Sequence, residues 1–523
     1  MTIRDSKLSQ VLAQVIFPAL LAIALISTNS RFTLIEDETK ILSAATQPVR
    51  TTLALFSTGF GQHEHPPLFD ILLHFWLRWS GANLEYLRLP SIFFYCLGLL
   101  MLARAAWHVG GRAACISALW LGVLWPFGFH YGRLTAWYGF SFFLVAGLTL
   151  AYFRYLEDQN CARWGILFLF SVALIWTNYF GWAILACLIF DQALRRRTSE
   201  SRVRPEVFFG SAALLYVAFL PLLRAFQHEI RNGVDLHQRF LPALANTLFS
   251  IYSLFVSESI APWFYWLSIP ATLSILACIT FVVACAPKSA KRFFLFGALL
   301  IGEMSIAGIL NTRRLLLIAP WVLLPLATAV GAKKPRWADF GMPAALLIIG
   351  GIGWFGIVSR HYYSAPRFIE PWQQIAETAA DGVRDGAVVI ADNPSFFFYL
   401  SNILQLRDGG IPWKYGRLLP YEAQHGQVQT AEEWKDSGRP IEPKVVWIRG
   451  MSDVPVLDQM AETARHLDRT CKQELSRLLV KDEGYALKQR FFPERGQPEW
   501  RIEIREYDCT SALKWKNETE HEQ

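Results

Sequence analysis

Eleven apolar stretches constrain this chain more than any other feature of its sequence. A bilayer core of about 30 Å needs roughly 20 apolar residues per helix, and a helix satisfies its own backbone hydrogen bonds in lipid. The stretches lie near residues 8–28, 88–107, 112–130, 134–154, 163–178, 179–194, 206–226, 264–286, 293–310, 314–331 and 338–358. The sequence therefore predicts an α-helical polytopic membrane protein with about 11 transmembrane helices.

The composition supports this class of protein and divides the chain in two. Of its 523 residues, 53% are hydrophobic and 18% are charged, whereas soluble domains carry roughly 25% charged residues. The deficit of charge excludes a disordered chain, a nucleic-acid-binding domain and an ordinary cytosolic enzyme. The apolar part predicts a transmembrane domain over residues 1–359, and the polar remainder predicts a soluble domain over residues 360–523.

The distribution of basic residues predicts the orientation. If the N-terminus lies inside, the inner loops collect most of the Lys and Arg residues, including Arg154, Arg163 and the run 195–197. Because cytoplasmic loops are enriched in Lys and Arg, this arrangement is favoured. We expect a multi-pass protein of the cytoplasmic membrane with its C-terminal domain outside, in the periplasm.

The loop between the first two spans is long and contains one short apolar segment. Asp70, His74 and Arg78 recur every four residues within residues 66–80. That spacing places a polar stripe on one helical face, as in a helix lying along the bilayer surface. We therefore predict juxtamembrane helices in the first outer loop.

The C-terminal domain has an α/β pattern. Helices are predicted over 371–383 and 455–478, and strands over 387–392, 444–450, 485–492 and 500–508. Strands that alternate with helices indicate a small layered domain. Cys471 and Cys509 are its only cysteines, so they are a disulfide candidate in an oxidising compartment, with two free thiols as the open alternative.

Three consecutive acids, Glu36-Asp37-Glu38, follow the first span. Clustered carboxylates repel one another, which raises one pKa and suits a general base or a divalent-cation ligand. The alternative is an acidic loop start that is simply solvated.

Two histidines precede the juxtamembrane helix, in His63-Glu64-His65-Pro66-Pro67. They could bind a metal with Asp37, or contact a phosphate when protonated. The alternative is a polar cap before a helix that begins with proline, and it is favoured for His63. His65 stays open between these interpretations.

Basic residues at the predicted outer edge form the third feature. They are Arg88, Arg133, Arg313 and Arg314. A guanidinium group matches phosphate oxygens, whereas a single outer arginine by default extends to the lipid headgroups. Several of them beside carboxylates favour a site that binds an anionic headgroup. Glu303, inside a span, and Thr177-Asn178-Tyr179, at a hairpin tip, are weaker candidates.

The order of these motifs resembles the GT-C membrane glycosyltransferases. The motifs are Asp37-Glu38-Thr39 after the first span, His65-Pro66-Pro67-Leu68, Arg88-Leu89-Pro90-Ser91 at the second span and Arg314-Leu315-Leu316 with Pro320 in a late span. They are most similar to the bacterial relatives of the protein O-mannosyltransferases and of the aminoarabinose lipid A transferases (glycosyltransferase family 39). The layout extends over residues 1 to about 360, and its specific motifs lie mainly in the first hundred.

The resemblance implies transfer of a sugar from a polyprenyl-phosphate donor to an acceptor on the outer face of the membrane, where the acceptor is an envelope glycan, lipid or protein. It implies that Asp37 is the key carboxylate and Glu38 its partner. Lys40 and His65 fall where relatives place groups near the donor phosphate, which the four outer arginines would also bind. The second outer loop departs from the family, because Gly132-Arg133-Leu134 and Trp137-Tyr138 have altered spacing and no carboxylate.

This departure leaves the cofactor open: none is certain, and a divalent cation held by Asp37 and His65 is the one that the residues allow. Two other functions also remain. A flippase or transporter for lipid-linked sugars predicts polar groups throughout the spans, which look dry apart from Glu303. A non-catalytic envelope scaffold predicts that the first-loop acids can be replaced without loss of function.

Overall fold

A computed structural model of the chain describes most of the sequence. The described residues are 3–58, 65–80, 84–197, 205–224, 227, 240–331, 336–359, 371–404, 413–414, 417–418, 428–436, 442–450, 454–481 and 501–511. The chain divides into two compact units. The helical unit comprises Met1–Ser30 and Gln47–His361, and the α/β unit comprises Arg31–Thr46 and Tyr362–Gln523.

The described part of the helical unit consists mainly of apolar helices. Its helices are α1 (Ile3–Ser27), α3 (Val49–Thr58), α4 (Leu68–Ser80), α5 (Leu84–Leu87), α6 (Leu89–Leu124), α7 (Pro126–Tyr131), α8 (Trp137–Glu157), α9 (Cys161–Ile175), α10 (Gly181–Arg197), α11 (Pro205–Phe219), α12 (Phe240–Val256), α13 (Tyr265–Cys285), α14 (Lys288–Ile306), α15 (Leu315–Gly331) and α16 (Arg336–Ser359). The helix α2 (Glu36–Thr46) belongs to the other unit.

By length and apolarity, five helices among the described residues are able to cross a membrane. They are Leu89–Leu124, Trp137–Glu157, Tyr265–Cys285, Thr312–Val330 and Phe340–Ser359. Gln14–Ser27, Cys161–Ile175 and Ala243–Val256 are apolar but shorter. Most of the eleven predicted stretches are helical in the structure, whereas their lengths vary more than the hydropathy pattern indicates.

The element α6 contains two helices that meet at a kink, and these correspond to two of the predicted spans. The stretches 88–107 and 112–130 lie in α6, α7 and the residues around them, and Gly111 interrupts α6 with φ 69° and ψ −158°. Because side chains with a Cβ rarely adopt this positive φ, a glycine is suited to the bend. The two predicted spans are thus largely the arms of α6 on either side of Gly111.

The helix α12 is absent from the eleven predicted stretches. It carries Asn246, Ser250 and Ser253 within an otherwise apolar sequence. The helix has 17 residues, fewer than the roughly 20 of a full span, which is why a search for long apolar runs misses it. All three side chains are buried, so α12 adds buried polar groups to the helical unit outside the eleven predicted spans.

The α/β unit contains a five-stranded mixed sheet. Its described elements are α17 (Trp372–Arg384), β1 (Val388–Ala391), α18 (Pro394–Ile403), β2 (Trp413–Lys414), β3 (Arg417–Leu418), β4 (Val428–Gln429), α19 (Ala431–Asp436), β5 (Lys444–Arg449), α20 (Val454–Thr470), β6 (Lys472–Lys481) and β7 (Arg501–Asp508). The strand order is β4-β1-β5-β7-β6. Strand β1 pairs in parallel with β4 and β5, whereas β7 pairs antiparallel with β5 and β6.

The core of this unit packs α19 and α20 against the sheet. Trp434, Trp447 and Leu467 are at most 1% exposed, and the buried cluster extends to the ends of α20 and β7. Cys471 and Cys509 are joined there by a disulfide, with their Cα atoms 4.4 Å apart. The disulfide links the start of β6 to the end of β7.

The prediction of one long helix over 455–478 is wrong for residues 471–478. The helix α20 ends at Thr470, and residues 472–481 form the edge strand β6. The sequence of β6 has no Gly or Pro to mark the change, and several of its residues favour helices. Backbone pairing with β7 decides its conformation, because tertiary context overrides weak local propensity. The predicted strand 485–492 lies outside the described residues.

Candidate functional site

The first-loop acids lie in the first turn of α2. The Ile35 N–H donates to Oε2 of Glu38 at 3.1 Å, and the Glu38 side chain is fully buried. A carboxylate that reaches back to the start of a helix satisfies an N–H that has no partner within that helix. Glu38 therefore fixes how the helix begins. Asp37 is half-buried and Lys40 is exposed.

Helix α18 holds the residues that precede these acids. The Ser395 hydroxyl donates to the Leu34 carbonyl at 2.6 Å, and the Leu34 N–H donates to the Tyr399 hydroxyl oxygen at 3.2 Å. Both backbone groups of Leu34 are thus satisfied by side chains more than 360 residues away in sequence. The α/β unit thereby incorporates the start of the first loop, which the sequence analysis assigns to the transmembrane domain.

The position of α18 follows from the sheet. Strand β1 ends at Ala391, and the chain then passes through Asp392 and Asn393 into α18. Asn393 Oδ1 accepts from the N–H groups of Ser395 and Phe396 at 2.8 and 3.2 Å, so it caps the helix. The carboxyl end of a parallel strand is a common place for ligand sites in α/β folds. Here that edge carries the segment with Asp37.

In the helical unit, Arg88 and Arg133 converge on the end of α1. Arg88 donates to the carbonyl and Oδ1 oxygens of Asn29 at 3.1 and 3.3 Å. Arg133 donates to Oγ1 of Thr28 at 3.0 Å and to the Phe129 carbonyl at 3.1 Å. Both arginines are 0% exposed. Their burial argues against arginines that extend to lipid headgroups, and Thr28 and Asn29 are consecutive, so the two guanidinium groups bind neighbouring residues.

Arg313 and Arg314 lie in a short turn before α15. Nε of Arg313 donates to Oδ1 of Asn311 at 3.4 Å, and Arg314 donates to the Ile309 carbonyl at 2.9 Å. The Arg314 guanidinium carbon lies 5.9 Å from the centre of the Phe180 ring. This contact joins Arg314 to the α9–α10 turn, which also holds Thr177-Asn178-Tyr179.

His65 packs on a ring of α8. Its imidazole lies 4.4 Å from the Trp137 ring, centre to centre, and Pro66 and Pro67 behind it are buried. The Leu68 N–H donates to the Trp176 carbonyl at 3.0 Å, which ties the start of α4 to the α9–α10 turn. His65 therefore lies beside the segment that carries Arg133. His63 and Glu64 lie outside the described residues.

Within the described part of the chain, no three side chains of His, Cys, Asp or Glu form a group that could hold a metal ion. The binding of a divalent cation by Asp37 and His65 stays a prediction from the sequence. Around the end of α1 the structure brings together arginine, amide and hydroxyl groups.

One polar cluster was missed from the sequence. His130 Nδ1 and Ser257 Oγ lie 3.0 Å apart, and both side chains are at most 1% exposed. Ser257 has φ 66°, a strained conformation for a residue with a Cβ, and the adjacent Glu258 is 5% exposed. The signal was present in the sequence: Asn246, Ser250, Ser253 and Ser257 recur at helical spacing.

Comparison with solved structures identifies the fold. The chain is similar to ArnT from Cupriavidus metallidurans bound to undecaprenyl phosphate, with a TM-score of 0.53 and 10% identity over 94% of this chain and 98% of ArnT. The apo structure of the same ArnT gives 0.52 and 12% over 94% and 97%. ArnT, an aminoarabinose lipid A transferase, is a GT-C enzyme. This chain has the GT-C fold.

The GT-C fold confirms the resemblance that the sequence motifs indicated. The oligosaccharyltransferase of Archaeoglobus fulgidus, in its apo form, has a TM-score of 0.45 with 14% identity over 75% of this chain and 63% of its own. No protein-family model and no curated protein sequence matches the chain. At these identities the shared property is the fold, so the activity of this GT-C chain is taken up as a proposal below.

Proposed function

We propose that this chain is a membrane glycosyltransferase that moves a sugar from a polyprenyl-phosphate donor to an acceptor at the outer face of the cytoplasmic membrane. The ArnT structure with this fold is bound to undecaprenyl phosphate, which supports a lipid-phosphate donor. An envelope glycan, lipid or protein hydroxyl group is the proposed acceptor.

The proposed reaction is a single displacement in its simplest form. An oxygen of the acceptor bonds to the anomeric carbon of the sugar, and the bond from that carbon to the phosphate oxygen breaks. The polyprenyl phosphate leaves with the electron pair, and Asp37 takes the proton of the acceptor hydroxyl. A positioned carboxylate in this role contributes typically about 10²–10⁴-fold to the rate.

The convergence of Arg88 and Arg133 is the observation that carries this proposal. Negative charge grows on the phosphate as the sugar leaves, and fixed cations stabilise that charge best where water is excluded. Arg88 and Arg133 are fully buried, and their guanidinium groups bind the consecutive residues Asn29 and Thr28. They provide such fixed positive charge. We propose that Lys40, His65, Arg313 and Arg314 complete the binding of the donor phosphate.

Replacement of Asp37 by Asn tests the proposal directly. Envelope lipids and glycans are compared by mass spectrometry between cells with the intact chain and cells with Asp37→Asn. We expect a product that is heavier by one sugar with the intact chain and no such product with the variant. Glu377→Gln, a change in α17 that is exposed to solvent, is the control and keeps the product.

A full yield of product from Asp37→Asn would overturn the assignment of the base. Absence of any one-sugar difference, with the intact chain present in the membrane, would overturn the transferase itself. The buried polar stripe of α12 favours a flippase for lipid-linked sugars as the second candidate. That function predicts movement of the donor across proteoliposome membranes, equally by the intact chain and by Asp37→Asn, without a glycosylated product.

A further inference from the structure

The turn that follows helix α12 is buried and polar. The helix ends at Val256, and the chain continues through Ser257, Glu258 and Ser259, whose side chains are at most 5% exposed. Non-helical backbone among membrane helices is tolerated only where it is buried in protein or lines a cavity. The partners of this turn therefore show which elements of the helical unit it holds in place.

Ser257 occupies a position at which helices usually carry glycine. Its N–H donates to the Ser253 carbonyl at 2.7 Å, and its φ is 66°, so it closes the helix in the left-handed conformation that glycine adopts without strain. A serine at this position costs conformational energy and adds one group, its hydroxyl. That hydroxyl oxygen lies 3.0 Å from Nδ1 of His130. Because strained residues persist where the surrounding structure holds them, the contact with His130 accounts for a serine at this helix end.

His130 lies in the short helix α7, which also holds Arg133. Arg133 Nε donates at 3.1 Å to the carbonyl of Phe129, the residue before His130, and its guanidinium carbon lies 4.3 Å from the centre of the Phe129 ring. Phe129 also packs on Trp354 of α16, with ring centres 4.6 Å apart. Consecutive residues of α7 thus contact Arg133 and Ser257.

Helix α7 has contacts at both ends. Just before it, Trp125 Nε1 donates to the Leu254 carbonyl of α12 at 2.6 Å. A Cβ at Gly353 of α16 would lie 2.5 Å from the side chain of the first residue of α7, so glycine permits a close approach there. The contact between His130 and Ser257 lies near the other end. Contacts at both ends define the orientation of this six-residue helix.

We propose that His130 and Ser257 are positioning residues for the donor phosphate, because their contact sets the place of α7 and thereby that of the Arg133 guanidinium group. This inference rests on the proposed function, in which Arg133 binds that phosphate. Electrostatic stabilisation depends on charges that are fixed before the reaction, and a misplacement of about 1 Å can reduce a rate by about 100-fold. Neither residue has to touch the substrate in this role.

The preference of the purified full chain for a phosphate headgroup over a hydroxyl headgroup tests the proposal. Native mass spectrometry measures the dissociation constants of undecaprenyl phosphate and of undecaprenol, and the ratio of the two reports the contribution of the phosphate. A loss of general stability lowers both affinities, whereas a displaced Arg133 lowers the ratio. We expect the intact chain to bind undecaprenyl phosphate at least about tenfold more tightly than undecaprenol.

The variant Ser257→Gly separates position from stability. Glycine removes the hydroxyl and relieves the strain of the positive φ, so we expect a Tm within about 2 °C of that of the intact chain together with a ratio about fivefold lower. His130→Leu removes the ring nitrogen and lowers the ratio by a similar factor, whereas His130→Asn keeps a polar atom in place of Nδ1 and keeps the ratio within about twofold. Combining Ser257→Gly with His130→Leu adds no further loss, because both changes break the same contact.

Thr149→Val is the control for stability. Trp321 Nε1 donates to the Thr149 hydroxyl oxygen at 2.9 Å, and both side chains are at most 1% exposed. Thr149 lies about 18 Å along α8 from the first residue of that helix, so its hydrogen bond is remote from α7. This variant should lower the Tm and leave the ratio unchanged.

The outcomes separate this inference from the proposed function. If Arg133→Lys lowers the ratio and Ser257→Gly does not, the positioning role is overturned and the donor site stands. If the intact chain binds undecaprenyl phosphate no more tightly than undecaprenol, the donor site is overturned and the positioning role with it. A ratio that falls in Thr149→Val as far as in Ser257→Gly would also overturn the positioning role, because the contact would then act through stability alone.

Discussion

At the scale of single residues, the buried arginines show why the type of cation matters. Arg133 donates through separate nitrogens to α7 and to the end of α1, and its guanidinium carbon lies 4.3 Å from the centre of the Phe129 ring. Lysine carries its charge on one nitrogen and cannot reproduce this planar, forked geometry. The geometry at Arg133 is therefore specific to arginine.

We predict that Arg133→Lys weakens the binding of undecaprenyl phosphate by about tenfold, because one charged hydrogen bond contributes about 1.5–3 kcal/mol. Native mass spectrometry of the purified chain measures this affinity. Arg163→Lys is the control, because Arg163 is half-buried and forms an ion pair with Asp158 at 3.6 Å. We expect this variant to bind undecaprenyl phosphate as tightly as the intact chain. An unaltered affinity in Arg133→Lys would contradict a role of Arg133 in phosphate binding.

Asp70 is a second residue with a prediction of its own. It lies in the juxtamembrane helix α4, and burial raises the pKa of its carboxyl to about 8. The unfolded chain has the usual lower pKa, so between about pH 4 and pH 8 the unfolded state binds fewer protons than the folded state. The stability of the folded protein therefore falls as the pH rises through this window.

The variant Asp70→Asn removes this dependence. We expect its Tm to exceed that of the intact chain by roughly 5 °C or more at pH 9 and to differ little at pH 4.5. The gap opens above about pH 4 and levels off above about pH 8. Tryptophan fluorescence during heating measures both values, and Asp381→Asn, an exposed acid, should show no such gap. An equal gap at both pH values would disprove this pKa.

At the scale of elements, helix α18 connects the sheet of the α/β unit to the first-loop acids. Ser395 and Tyr399 lie one turn apart on α18 and bind the two backbone groups of Leu34. Glu38 then binds the N–H of Ile35, the next residue. The orientation of α2, and with it that of Asp37, depends on this short chain of hydrogen bonds.

We predict that Ser395→Ala together with Tyr399→Phe lowers kcat of sugar transfer by about tenfold and leaves KM for the donor nearly unchanged, since each lost hydrogen bond contributes about 1 kcal/mol to the position of α2. The single variant Ser395→Thr keeps the hydroxyl group at this position, so we expect it to have most of the kcat of the intact chain. Steady-state kinetics in proteoliposomes measure the two parameters.

A control variant separates position from stability. Thr463 donates its hydroxyl to the Gln459 carbonyl within α20, so Thr463→Val also removes a buried hydrogen bond of the α/β unit. It should lower stability without lowering kcat. If Asp37→Asn is inactive while the Ser395 and Tyr399 variants have full kcat, Asp37 keeps its role and the positioning by α18 is refuted.

At the scale of the whole chain, the disulfide closes a loop that includes much of the outer part of the sheet. Cys471 and Cys509 are 38 residues apart in sequence. A cross-link over such a loop lowers the conformational entropy of the unfolded chain and thereby stabilises the folded state by about 3–4 kcal/mol. The paired double variant Cys471→Ala, Cys509→Ala should therefore unfold at lower temperature.

Fluorescence of the core residues Trp434 and Trp447 should follow this unfolding in the full chain. A reducing agent should lower the Tm of the intact protein to that of the double variant and leave the double variant unchanged. Cys161→Ala, which removes an exposed free thiol, serves as the control. An intact protein that is insensitive to reduction would mean that the disulfide adds no stability.

The sequence by itself determined the class of fold. Runs of apolar residues define spans because lipid offers no hydrogen-bond partners to the backbone, and this local requirement is visible in residues such as those of α8 and α15. The buried strand β1 and the amphipathic helix α17 were likewise predicted, since their patterns of burial follow one periodicity over a short range. The order of the motifs in the first hundred residues was enough to indicate the GT-C fold.

Only the tertiary structure decided what distant segments do together. Leu34 joins the α/β unit because its backbone groups bind Ser395 and Tyr399, and residues 472–481 become a strand because β7 offers its free edge. The stripe on α12 and the contact of Ser257 with His130 depend in the same way on partners far along the chain. Such hydrogen bonds form between residues whose separation in sequence carries no local signal, so no pattern within one segment could reveal them.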